Sequence, residues 1–331
     1  MARIKDVALL AGVNRSTVSR IINGEGKFRA DTKRKVEQAM AELNYRPSAI
    51  ARSLATASSN MVGLLVTYYT GGFFGEMMDQ VQSELDCHNK FLITAQGHHN
   101  AEGEREAIQR FHDLRCDGYI LHSRYLSDDE LRELAKLPTP FVLLDRFVEG
   151  LEDRCITFDH TLAAQLAVGH LIEQGHRKIA CISGDLNRET SKQRFQGYKN
   201  ALQAAGIPFE SSLTSEGNYG RESGYQAALN LYQQHDDMDA LFSCSEEMMS
   251  GALQFFHQHK IAVPEQLSVT SFDSVYLCAS FYPTVTAVHF PISDMARTAV
   301  AVLNHQLKKT ETDIDRHFLP KLISRCSVLP R

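Results

Sequence analysis

The chain has 331 residues, 43% hydrophobic and 23% charged, which excludes fibrous and wholly disordered classes and leaves room for about two or three compact units. No run approaches the ~18 uncharged apolar residues of a membrane span and the start, MARIKDVALLAGVNRS, has no signal core, so a cytoplasmic chain with no membrane partner is expected. The net charge of −5 hides a division, because residues 1–60 carry 11 Lys/Arg against five Asp/Glu and the remainder is strongly acidic.

A basic head suits a polyanion partner, since Lys and Arg release condensed counterions from phosphates, although charge alone also describes a solvated surface. In the head, Ile4, Val7, Ala8 and Ala11 fall at i, i+3, i+4, i+7 and predict an amphipathic helix. Gly12 suits a left-handed residue in a tight turn, Val13 can plug the angle between helices, and Asn14 is a good N-cap. A second helix, Arg15 to Ile22, turns Val18, Ile21 and Ile22 inward and Arg15, Ser16, Ser19 and Arg20 outward, a polar face short enough for a major groove. A third, about Asp31 to Asn44, adds Val36, Ala39, Met40 and Leu43 and closes a small core. Three such helices also suit an inert bundle. Arg46 to Ala55 starts with Pro47 at a first helical position but is too short to hold a helix alone, so a conditional helix is expected, followed by a polar linker, Thr56–Asn60.

From residue 61 onward, strand-like runs (Met61–Val66, Phe91–Thr94, Gly118–Leu121, Phe141–Leu144, Ile179–Ser183, Ala240–Cys244, Leu267–Phe272) alternate with helical ones (Phe74–Cys87, Glu102–Leu114, Leu162–Gln174, Gln193–Ala205, Met248–Lys260). That alternation predicts parallel sheets covered by helices, and the length suits two lobes. Seven cysteines, scattered and never spaced as CxxC, predict neither a disulfide framework nor a zinc knuckle. No GxSxG, Walker loop, HExxH or strand-linked GxGxxG is present, so no catalytic residue and no cofactor are expected. His98-His99 and His257-Gln258-His259 lack the Cys/His support of a metal site, and no metal is expected either.

The runs Ile4–Ala8, Ala11–Val13, Ser16–Arg20, Asn44–Pro47 and Ala51–Leu54 resemble the LacI/GalR family of bacterial transcription regulators. The likeness continues through the chain, and Glu104–Gln109, Asp113–Asp117 and Arg124–Ser127 look most like repressors of β-glucoside operons. The resemblance implies an α/β fold: a helix-turn-helix three-helix DNA-binding head (1–45), a hinge helix and linker (46–60), and a two-lobed periplasmic-binding-protein-like core with parallel sheets (61–331). Within the core the implied lobes are about 61–159 with 289–318, and 160–288 with 319–331. By position it implies base reading by Arg15 and Ser16 and a further base or phosphate contact by Arg20. The hinge residues Ala51 and Leu54 would lie at the minor groove, with Leu54 levered between base pairs. Thr17, Ser19 and Asn23 suit phosphate-positioning contacts, which fix register without reading sequence. Arg29 stands where the family often has a capping serine.

Open parallel sheets bind ligands beyond their strand C-termini, and a sugar needs bidentate polar groups with an aromatic face. Phe73, Phe74, Asp145, Arg146, Arg194, Tyr219, Ser245, Glu246 and Asp273 occupy such positions. Arg194, Asp273 and Tyr219 match the family's anchor arginine, anchor aspartate and stacking aromatic, while His160 replaces a frequent Asn. The expected partners are operator DNA, a sugar or β-glucoside effector, and a second copy in a homodimer. A repressor released by its effector is the leading expectation. A corepressor-type regulator taking a nucleobase and, remotely, a nucleotide-dependent enzyme are the alternatives.

Overall fold

The computed structural model describes residues 2–23, 26–45, 58–310 and 313–331, in two compact units: Met1–Met61 with His112–Asp117, and Val62–Phe111 with Gly118–Arg331. The first unit contains helices α1 (Ile4–Ala11), α2 (Arg15–Ile22) and α3 (Ala30–Glu42). Val7, Ala8, Ala11, Val18, Val36 and Ala39 form its buried centre, with Ile4, Val13, Ile21, Ile22, Met40 and Leu43 packed around it. The apolar stripes foreseen in the sequence are therefore the surfaces that meet. Gly12 has φ 66° and its turn is closed by Val13 N–H donating to the Ala8 carbonyl at 3.0 Å, a Schellman ending that turns the chain into α2.

One capping expectation changes, and the replacement of a capping serine by Arg29 leaves α3 without a side-chain cap. Asn14 does precede α2, but its side chain makes no capping hydrogen bond; it is exposed, where water can take the role. Arg29 precedes α3 and also makes none, as a guanidinium has donors and no acceptor to offer the helix amides. The hinge expectations, including Ala51 and Leu54, lie outside the described residues. Just beyond them, the Asp117 carboxylate accepts from Ser59 N–H at 2.7 Å, Ser59 Oγ at 3.1 Å, Ser58 Oγ at 2.7 Å and Asn60 N–H at 3.2 Å, fixing the end of the linker.

The second unit is built on two six-stranded sheets. β1 (Met61–Val66), β2 (Phe91–Gln96), β3 (Gly118–Leu121), β4 (Phe141–Leu144) and β5 (Cys155–Phe158) join the first, with β11 (His317–Phe318), in the order β11-β5-β4-β3-β1-β2. β6 (Ile179–Ser183), β7 (Thr214–Glu216), β8 (Ala240–Ser243), β9 (Ser268–Asp273), β10 (Thr286–His289) and β12 (Lys321–Ile323) make the second, in the order β12-β10-β9-β8-β6-β7. The registered pairs are parallel except β10 with β12. Strands such as β3, β4, β6 and β8 are buried at every residue, as parallel strands covered on both faces must be.

The covering helices are α4 (Gly72–Asp86), α5 (Ala101–Asp113), α6 (Asp128–Ala135), α7 (His160–Glu173), α8 (Glu189–Ala204), α9 (Arg221–Gln234), α10 (Glu246–Gln258) and α11 (Ile292–Lys308). After β5 the chain enters α7, which packs on β9, β10 and β12 of the second sheet; after β10 it returns through α11, which packs on β3, β4 and β5. It passes again to the second sheet between β11 and β12. Helices α6, α9 and α11 and strands β5, β7, β10, β11 and β12 add to the elements expected. Of the added strands, β7, β11 and β12 have only two or three residues, and β5 (CITF) and β10 (TAVH) interrupt their apolar run with Thr or His, so none registers as a clear pattern.

Candidate functional site

The head presents one polar face. On α2, Arg15, Ser16 and Arg20 are exposed, while Thr17 and Ser19, and Asn23 just after the helix, are half-buried. The Arg20 guanidinium lies over the Phe28 ring at 5.4 Å. A short helix with two arginines and small hydroxyl residues on one side offers donors for guanine edges and phosphate oxygens.

In the second unit, residues that follow the strand C-termini of both sheets converge on a cavity of about 560 Å³. Phe73, Phe74, Phe272, Phe290, Tyr68 and Tyr219 supply apolar walls. Arg124, Asp145, Arg188, Arg194, Ser245 and Glu246 bring polar groups to the same space. Phe73, Phe74, Arg194, Tyr219, Ser245 and Glu246 are therefore brought together. Tyr219 has φ 68°, an uncommon conformation for a tyrosine, and its hydroxyl is hydrogen-bonded to Ser191 Oγ at 2.7 Å. Its ring rests on Gly184, where any Cβ would come within 2.3 Å of it.

Two expected residues are placed elsewhere. Arg146 does not line the cavity; its guanidinium donates to the carbonyl of Leu126 at 2.7 Å, to that of Ser123 at 3.4 Å and to Asp128 Oδ1 at 2.7 Å. It directly follows Asp145, which lines the cavity and has φ 57°, a left-handed turn of the chain just past β4 that sends Arg146 elsewhere. Asp273 is fully buried and does not line it either: Arg325 Nη2 donates to its Oδ2 at 3.1 Å. Its last-in-strand position turned it toward β12 and the segment beyond, where Arg325 stands.

A buried polar chain runs between the two sheets behind the cavity. The Arg124 guanidinium bonds both the carboxylate and the carbonyl of Asp145, and also reaches His122 Nε2 at 2.7 Å. Asp145 Oδ1 meets His160 Nε2 at 2.8 Å, and Arg194 Nε donates to His160 Nδ1 at 3.1 Å. Arg194 also donates to the Cys244 carbonyl and lies 3.9 Å over the Phe272 ring. These contacts fix the tautomers, because a ring nitrogen that accepts from an arginine cannot itself carry a proton. His160 is neutral with its proton on Nε2; His122 is neutral with its proton on Nδ1, donated to Thr67 Oγ1 at 3.0 Å. Burial lowers both pKa values and the nearby arginines push the same way, outweighing the Asp145 carboxylate, which pulls both upward. Burial would raise the Asp145 carboxyl, but His160 and Arg124 hold it below its ordinary value. Glu246 is different: burial raises its pKa, and its Oε1 accepts from Ser274 Oγ and from Ser274 N–H at 3.3 Å.

Arg188 spans the cavity as well. It leaves the second sheet just before α8 and its Nη2 donates to Tyr68 Oη at 3.1 Å and Tyr125 Oη at 3.2 Å, both on the first-sheet side. Sequence reasoning missed Arg188, Tyr68, His122 and Arg124. The strand-end rule was available for Tyr68, His122 and Arg124, which stand within three residues of the ends of β1 and β3. Arg188 lies five residues beyond β6, where no local signal marks it.

The geometry fits a small, partly apolar ligand with several hydrogen-bonding groups. Among the described residues, no cluster of three or more His, Cys, Asp or Glu could hold a metal ion, and no helix is long and apolar enough to cross a membrane.

Residues 3–48 match the bacterial regulatory proteins of the lacI family, and residues 168–328 match a periplasmic binding protein-like domain. The HTH-type transcriptional regulator AscG of Escherichia coli (strain K12) is 33% identical over 99% of both chains. A solved CelR–cellobiose complex, of a transcriptional regulator, superposes with a TM-score of 0.72 at 27% identity, over 99% of this chain and 100% of that one. The lac repressor dimer bound to operator and an anti-inducer gives a TM-score of 0.88 at 25% identity, over 99% of each chain.

Proposed function

This chain belongs to the LacI family of DNA-binding transcriptional regulators, and from that premise we propose that it represses a sugar-utilisation operon and is released by a sugar or β-glucoside. One observation carries the effector class: aromatic walls and opposed charged groups share a single cavity of about 560 Å³ between two sheets. A pyranoside has an apolar C–H face for Phe73, Phe74 or Tyr219 and hydroxyls for Arg124, Arg194 and Glu246. The cellobiose held by the CelR relative is a ligand of that chemistry. On the DNA side, Arg15 and Ser16 read bases, Arg20 contacts a base or phosphate, Thr17, Ser19 and Asn23 hold the backbone, and Ala51 and Leu54 meet the minor groove.

One short helix reads too few base pairs for genomic selectivity, so two copies act on a two-fold operator; the lac repressor likewise binds its operator as a dimer. The ligand bridges residues from both sheets, so closing on it favours one arrangement of the lobes over another. Differential binding of that kind typically shifts operator affinity about 5–150-fold.

The test is operator binding by mobility shift, with cellobiose and salicin titrated against the complex. Release on titration supports the reading; no effect at saturation removes the glucoside, and tighter binding in the presence of a nucleobase replaces it with the corepressor reading.

A further inference from the structure

Glu104 lies on α5 and is only 2% exposed, yet it is not among the cavity residues. Its carboxylate receives four hydrogen bonds from one short segment: Ser123 Oγ at 2.6 Å, Arg124 N–H at 2.7 Å, Tyr125 N–H at 3.2 Å and Leu126 N–H at 3.0 Å. The other side of the same segment is held by Arg146, which donates to the carbonyls of Ser123 and Leu126 and to Ser123 Oγ at 3.3 Å. A carboxylate takes the amides of residues 124–126 and the Ser123 hydroxyl, and a guanidinium takes the carbonyls at the two ends, Ser123 and Leu126. The chain there is irregular, so without these two side chains its backbone groups would have no regular partners. Gly97 and Gly103 let α5 approach closely enough: a Cβ on Gly97 would come within 2.6 Å of Glu104 Cγ, and one on Gly103 within 2.3 Å of the Gly97 carbonyl.

The segment so held carries one residue that lines the cavity, Arg124, and one that braces a lining residue of the opposite lobe, Tyr125. Arg124 aims its guanidinium at Asp145 and His122, and Tyr125 offers its hydroxyl to Arg188 from across the cleft. We propose that Glu104, together with Arg146, is a positioning residue for effector binding, holding residues 123–126 so that Arg124 meets the ligand and Tyr125 meets Arg188 of the opposite lobe in one geometry. The inference rests on the effector reading of the cavity, and it gives Arg146 a role beside the site rather than within it.

Glu104→Gln is nearly isosteric and replaces one accepting oxygen by a donor, so at least one of the four bonds is lost while the packing remains. Hydrogen exchange of the full-length chain, with no ligand present, should show the amides of 124–126 exchanging about tenfold or more faster in this variant, with β3 and β4 unchanged. With cellobiose and salicin as probes, affinity should fall about tenfold while operator affinity in their absence stays at the parental value. In a double-mutant cycle with Arg124→Gln, the two losses should be less than additive, because Glu104 acts through Arg124. Unchanged exchange at 124–126, or strictly additive losses, overturns the proposal. If neither sugar binds the parent chain, the effector reading fails, and the exchange measurement still decides whether Glu104 holds the segment.

Discussion

Arg15 and Asp273 were both marked in the sequence, and they now make different predictions. Arg15 is exposed at the start of α2, and replacing it with Ala should relax base choice at one operator position by about 1–3 kcal/mol, read from affinities for a set of single-base operator variants. Asp273 is buried against Arg325, so Asp273→Asn leaves a buried guanidinium without its carboxylate and should lower unfolding stability by about 3 kcal/mol or more in urea titration. His160 makes the third. Its pKa is lowered from 6.5 mainly by burial, so below about pH 6.5 the unfolded chain binds more protons than the folded one and stability falls as pH falls. Each such histidine adds a slope of at most about 1.4 kcal/mol per pH unit, and His122 adds another in the same direction. His160→Asn can still donate to Asp145 and accept from Arg194, so urea midpoints between pH 5 and 6.5 should flatten toward the slope left by the other buried histidines.

At the scale of elements, helix pairs are held by what their glycines omit. On α9 and α10, a Cβ on Gly224 would come within 2.0 Å of the Met248 carbonyl, and one on Gly251 within 1.9 Å of the Arg221 carbonyl. These contacts are with backbone, which cannot step aside as a side chain end can, so Gly251→Ala should separate the two helices and destabilise the chain by about 3 kcal/mol, measured by thermal unfolding. Element boundaries were legible where turn residues or polar neighbours bound a short apolar run: α1, α2, β1, β3, β4 and β6 fall where the sequence pattern put them, whereas the longer α4 and α8 begin at Gly72 and Glu189, ahead of the runs from Phe74 and Gln193. Helix α9 was not marked, because it mixes Tyr, Gly and Gln along its length and buries only Gly224, Ala227, Ala228 and Leu231, a stripe of mostly small residues with weak hydrophobic contrast.

For the whole molecule, a basic head on an acidic body predicts steep salt dependence of operator binding: affinity should fall by orders of magnitude between about 50 and 200 mM salt if 6–10 phosphates are contacted, checked by titration at fixed temperature. Asp273→Asn and Glu104→Gln should leave that slope unchanged, since neither lies in the head. By itself the sequence determined the helix-turn-helix, the alternation that makes covered parallel sheets, and the strand ends that supply a cavity, because each is a local pattern of apolar spacing and punctuation. Tertiary structure alone decided which strand-end side chains face that cavity. Asp145 and Arg146 are neighbours in the chain, and only the packing of β4 against its surroundings sends one to the ligand space and the other to the carbonyls of Ser123 and Leu126. Arg325 reaches Asp273 from 52 residues away, and Glu104 reaches the segment 123–126 across a strand. Such partners are chosen by long-range contact geometry, which no local spacing encodes.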